Sequence, residues 1–213
     1  MMRLRPLLIA GCAAAAGASL TAGTPLDTLG ASPTARREAL MLARCSLETI
    51  VTGKCAIPRV RSSIARIRCG AFVILVLKGT TRACAGTLRP TTESAGREIV
   101  AAAAMAAAGD PWHAPLQARD LARGRVEVCL AGPPVPLRSI TELNVARDGL
   151  LVQSGPRSAV ILPGEARTAS WALREARRKA GLRPSERADL FRFSAIRWRG
   201  MEPSAGKSRN QPE

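Results

Sequence analysis

Cys69-Gly70-Ala71-Phe72-Val73-Ile74-Leu75-Val76-Leu77-Lys78-Gly79-Thr80-Thr81-Arg82-Ala83-Cys84-Ala85-Gly86 is the stretch that decides the fold. Its first nine residues form a continuous apolar run rich in branched side chains, the pattern of a strand buried on both faces. Lys78-Gly79-Thr80 supplies a tight turn, so a hairpin into residues 82–88 is expected. Outward from the hairpin, Ser32-Pro33-Thr34 offers cap and turn chemistry. Leu40, Leu42, Leu47, Ile50 and Val51 then recur at helical spacing before Gly53. On the other side, Thr91-Thr92-Glu93-Ser94 opens a helix through the alanine block 101–108, and Gly109-Asp110-Pro111 stops it.

Strands are expected at residues 125–130, 150–153 and 159–162, with a Pro133-Pro134-x-Pro136 loop between the first two. A helix over 169–180 carries Trp171, Leu173 and Ala176 at compatible spacing and ends before Gly181. Residues 188–198 alternate in part and predict a last strand. The expected organisation is a leader and linker over residues 1–33, one domain over 34–199 and a polar, disordered basic tail over 200–213.

The 213 residues carry 32 basic against 16 acidic side chains, a net charge of +16, and only Lys54, Lys78, Lys179 and Lys207 are lysines. The arginines are dispersed and aromatics are scarce, which argues for solvated faces and against nucleic acid bound through base stacking. Six cysteines, at 12, 45, 55, 69, 84 and 129, include no Cys-x-x-Cys pair, so no metal site is expected, and spacing leaves their pairing open. No nucleophile elbow, phosphate loop or dinucleotide fingerprint is present, and no cofactor is implied.

Arg3 and Arg5 precede an uncharged stretch that runs to Asp27, the pattern of an export signal. Leu8-Ile9-Ala10-Gly11-Cys12 resembles a lipobox, which makes Cys12 the candidate lipid-attachment residue. The expected location is the bacterial cell envelope, exported or held at the membrane by this N-terminal anchor, with the cytoplasm as the alternative.

Four blocks then carry a resemblance. Thr81-Arg82-Ala83-Cys84-Ala85-Gly86 resembles the Leu-Arg-Gly-Cys-Ile-Gly hallmark of the AMMECR-one domain family. Asp110-Pro111 with Pro115, Leu162-Pro163, and Trp171 with Lys179-Ala180-Gly181-Leu182 follow in that family's order. The resemblance spans about residues 35–198. It implies an α+β single domain of two lobes, with a mixed or antiparallel sheet flanked by helices and the hallmark near the groove between lobes. In microbes the family occurs beside Memo-like and radical-SAM proteins, which the resemblance offers as partners. It implies no reaction. The chain departs from the pattern at Thr81, Ala83, Ala85, Gly164-Glu165 and Trp112-His113.

Cys84 is the candidate catalytic residue. Arg82, two residues away, is expected on the same strand face, where its charge would favour the thiolate. His113, the sole histidine, and Glu165 and Asp110 are the candidate acids or bases. Arg82, Ala83, Ala85, Gly86, Pro163, Glu165 and His113 are the expected surroundings of a small ligand. The competing reading of Cys84 is a thiol that fills core space, and the competing reading of the domain is a protein-interaction module without chemistry.

Overall fold

The computed structural model describes residues 25–109 and 114–201. Helices α1 (Pro25–Gly30) and α2 (Pro33–Thr52) lead into the hairpin β1 (Gly70–Leu77) and β2 (Thr80–Thr87), followed by α3 (Ala95–Ala108) and α4 (Ala118–Arg123). Next come β3 (Arg125–Ala131), the two-residue β4 (Val135–Pro136), β5 (Asp148–Ser154), β6 (Arg157–Ile161), α5 (Ala169–Lys179) and the long β7 (Asp189–Arg199). The strands form one sheet in the order β2-β1-β3-β7-β5-β6, with β4 on β7. Every pairing is antiparallel. The α+β class expected from the sequence is therefore the observed one.

Local chemistry sets these elements. Ser32 caps α2 by accepting from the Ala35 N–H at 3.2 Å, Pro33 occupies the first turn, and Gly53 ends the helix at φ +70°. The β1–β2 turn has positive φ at both Lys78 and Gly79, the geometry that matches the twist of a two-residue hairpin. Ser94 and Thr168 cap α3 and α5 in the same manner as Ser32.

The helices α2, α3 and α4 cover one face of the sheet. Leu42, Leu47, Ile99 and Leu121 meet Val73, Leu75, Val128 and Leu130 there. Small residues at Ala102, Ala103 and Ala106 let α3 sit close to the sheet. On the same face, α5 lays Ala172 and Ala176 over Leu150, Val152 and Ile161. These two apolar clusters on one sheet are what the expected two lobes amount to. The opposite face carries a third cluster of Phe72, Ile74, Val76, Cys129, Leu151 and Phe193, with no helix laid across it.

Two features differ from expectation, and a third answers the cysteine pairing that spacing left open. Residues 25–30, expected within a linker, form α1, and Leu26 and Leu29 are buried in the helical-side core. Residues 118–123 form a helix that the sequence reading left unassigned. Cys45 and Cys55 form a disulfide across a sequence separation of 10, with a Cα–Cα distance of 5.5 Å. Glu38 adds to that tie by accepting from the Arg61 and Ser62 N–H groups, so the segment after α2 is strapped back along the helix. Among the described residues no helix is long and apolar enough to cross a membrane. The lipobox with Cys12, and the tail beyond residue 201, lie outside the described residues.

Candidate functional site

The face of the sheet without helices opens into a groove of about 1130 Å³. Its walls come from both ends of the strand order: Thr81, Cys84 and Gly86 of β2 on one side, Ser158 and Val160 of β6 on the other. The sheet curls enough to bring its two edges to the same cavity. Trp171, Glu175, Arg178 and Lys179 of α5 also line it, together with Leu162, Gly164 and Glu165 from the turn after β6.

Alternation along the strands dictates which side chains face the groove. Cys84 pairs with Ile74, Ile74 pairs with Glu127, and Glu127 pairs with Arg199, so these four lie in one row across β2, β1, β3 and β7. The neighbouring row is Gly86, Phe72, Cys129 and Arg197. Cys84 is half-buried against the groove-side cluster. The other two thiols not in the disulfide among the described residues are buried. Burial pushes the Cys69 thiol up to about 11, with the Glu98 carboxylate adding to the effect, and pushes Cys129 up to about 12.

Gly86 has a steric reason to be glycine. A Cβ on its backbone, at φ +155°, would sit 2.0 Å from the Ala71 carbonyl oxygen and 2.6 Å from the Phe72 Cα. The glycine therefore lets β2 press onto β1 beside the thiol.

Arg82 does not join Cys84. The pairing passes from Leu75–Ala83 to Val76–Thr81, so Arg82 is the extra residue of a bulge and the strict alternation that would align it with Cys84 is broken. Its guanidinium donates to the carbonyls of Ala114 and Pro115 at 3.0 and 3.2 Å and to Asp120 Oδ2 at 2.9 Å. It ties down the approach to α4 and is absent from the groove lining. Ala83 is buried on the helical side, and Ala85 packs partly against that same core while lining the groove. Pro163 is buried and lies off the lining, whereas Glu165 lines it and accepts from the Leu162 N–H at 3.1 Å. His113 and Asp110 lie outside the described residues.

Sequence reasoning missed a cluster on the groove wall. Glu127 is 1% exposed in the middle of apolar β3. Its carboxylate receives Arg125 at 2.9 Å and Arg197 at 2.7 Å, with Arg199 at 3.8 Å. The signal was present in part: a lone acid inside a strand otherwise fit for a core needs a partner. Arg125 stands two residues away, and the nearer-bonded Arg197 stands 70 residues away in sequence. Trp171, read from the sequence as one of the residues at helical spacing with Leu173 and Ala176, is 41% exposed and lines the groove. Among the described residues no cluster of His, Cys, Asp and Glu has the arrangement of a metal site.

A protein-family model described as AMMECR1 matches residues 40–198. A Thermotoga maritima protein is 35% identical over 136 residues, covering 62% of this chain and 78% of its own length. A Methanothermobacter thermautotrophicus protein is 31% identical over 175 residues, covering 75% and 91% respectively. The crystal structure of an uncharacterised Pyrococcus horikoshii protein superimposes with a TM-score of 0.68 at 26% identity, covering 78% of this chain and 91% of that one.

Proposed function

We propose, from the premise that the chain belongs to the AMMECR1 family, that the groove binds a small ligand and that Cys84 is the thiol which meets it. One observation carries this reading. Cys84 is half-buried on the wall of a cavity of about 1130 Å³, while Cys129 is sealed in the core and Cys69 is buried away from that cavity. A cavity of that size, with apolar walls at Phe72, Leu151 and Leu162 and many charged side chains around them, has room for a small organic molecule. In its sharper form the reading makes Cys84 a nucleophile. Arg82 then acts by holding the approach to α4, since its charge is spent on Asp120 and two carbonyls.

Iodoacetamide alkylation of the native protein, resolved by residue and pH, tests both forms. Cys84 is expected to label while Cys69 and Cys129 resist until unfolding. Reaction already fast well below about pH 8.5, where an ordinary thiol ionises, supports nucleophilic chemistry; reaction only above it supports binding alone. A Cys84 that stays inert until denaturation overturns the reading. That outcome favours a protein-interaction module, with Memo-like and radical-SAM proteins as the first partners to test.

The same proposal places the chain in the cell envelope. The Cys45–Cys55 disulfide supports this, because such bonds persist in oxidising compartments. A mature N-terminus at a lipidated Cys12, or after a cleaved leader, is the expected finding. An intact Met1 in the cytoplasmic fraction refutes it.

A further inference from the structure

We infer that the ligand of this groove is a small organic oxyanion, its carboxylate or phosphate paired by Arg197 and its apolar body lying toward Cys84. The inference rests on the groove reading above and adds the chemical class. Six cations line the cavity: Arg89, Arg125, Arg178, Lys179, Arg197 and Arg199. Three carboxylates oppose them, and each is already engaged. Glu127 holds the arginine cluster, Glu165 accepts from a backbone N–H, and Glu175 pairs with Arg178. The cavity lining therefore carries a surplus of positive charge, six cations to three carboxylates.

The surplus is focused. Three guanidiniums converge on the single buried carboxylate of Glu127, so one negative charge orients three positive ones. Arg197 gives Nε to Glu127 Oε2 at 2.7 Å, and its side chain is only 20% exposed. Its two terminal amino groups make no further hydrogen bond to the described residues. A guanidinium held through Nε on a cavity wall keeps its terminal N–H groups to offer as the fork that carboxylates and phosphates accept. Partial burial strengthens that attraction relative to a fully solvated arginine.

The remaining walls define the rest of the ligand. Phe72, Val76, Leu151 and Leu162 are apolar, and the exposed ring of Trp171 stands at the same cavity. Glu127 and Cys84 flank Ile74 from the two adjacent strands, a span of about 10 Å at ordinary strand spacing. A ligand of one ring or a short acyl chain bridges that distance.

Titration calorimetry of the full chain at low ionic strength with phenyl phosphate, benzoate and benzyl alcohol tests the class. The two anions are expected to bind at least about tenfold tighter than the alcohol, and their ranking shows which oxyanion the site prefers. Arg197→Gln is expected to lose about tenfold for the anions with no change for the alcohol. Arg199→Gln, at a side chain 68% exposed and therefore safe for folding, is expected to lose a few-fold. Benzyl alcohol binding as tightly as phenyl phosphate overturns the inference, as does anion affinity within twofold of wild type in both variants. If that alcohol binding is abolished by alkylating Cys84, the groove reading survives the loss of the anion assignment. Binding of none of the three compounds overturns the class, and the alkylation order of the thiols judges the groove separately.

Discussion

Replacing Arg82 by alanine separates the role the structure gives this residue from the one its position beside Cys84 implies. The guanidinium makes three hydrogen bonds to the segment leading into α4, and its partner Asp120 has a side chain only 12% exposed. Asp120 Oδ2 also accepts from the Gln117 N–H, so the ion pair and the start of α4 share one oxygen. Truncation leaves a mostly buried carboxylate without its cation, and the two carbonyls turn to water. Loss of a charged hydrogen bond of this kind costs about 2–3 kcal/mol. For a domain of this size that corresponds to a fall in Tm of roughly 4–12 °C. Urea unfolding followed by far-UV circular dichroism measures the first quantity and a thermal scan the second. Because Arg82 is turned away from the groove, the alkylation rate of Cys84 in the folded variant should stay within about twofold of wild type. A destabilisation below about 0.5 kcal/mol, or a Cys84 rate that collapses while the fold is intact, refutes the bulge argument and returns Arg82 to the thiol.

Gly86→Ala should destabilise by about 1–3 kcal/mol or more in urea unfolding, because the new methyl meets the backbone of β1 at 2.0 Å; wild-type stability would show that β2 yields there at no cost. Cys45→Ser, or reduction of the disulfide, should cost about 2.5 kcal/mol from loop entropy alone, read as a lower urea midpoint; an unchanged midpoint in reductant would mean that the strap on α2 carries no stability. Glu98 supplies a pH signature. Desolvation pushes its carboxyl up, but hydrogen bonds from Thr87, Thr91 and Thr92 outweigh that and hold it below the ordinary value. Its stabilisation is therefore full above the unfolded value of about pH 4.3 and lost as pH falls through the folded value. Wild type should lose stability more steeply than Glu98→Gln on acidification below about pH 4.3, and parallel slopes would refute the assignment.

How far the sequence disclosed this molecule depended on the range of the signal. The run 69–77, the Lys78-Gly79 turn and the alanine block of α3 are local patterns, and each became the element it predicted. α1 escaped because only Leu26 and Leu29 mark it within a stretch of small and polar residues, and six residues show less than two turns of periodicity. The bulge at Arg82 escaped because alternation presumes a regular ladder, and a single unmatched residue reverses every facing inferred across it. The pairing of Cys45 with Cys55 depends on a Cα separation that spacing does not fix. Arg125 and Glu127 stand at strand spacing in the sequence, but the Arg197 and Arg199 part of the cluster required knowing that β7 lies beside β3, a fact of topology.

That placement of β7 bears on how the protein is made. β7 is translated after every strand it joins, yet it is an interior strand, seated between β3 and β5. Until residues 189–199 emerge, the hairpin with β3 and the β5–β6 pair are two fragments with no shared ladder, each exposing an unsatisfied edge. Without β7 the two halves of the sheet share no backbone hydrogen bonds. The eleven residues of β7 bridge them, and the same strand carries Arg197 and Arg199 into the cavity lining.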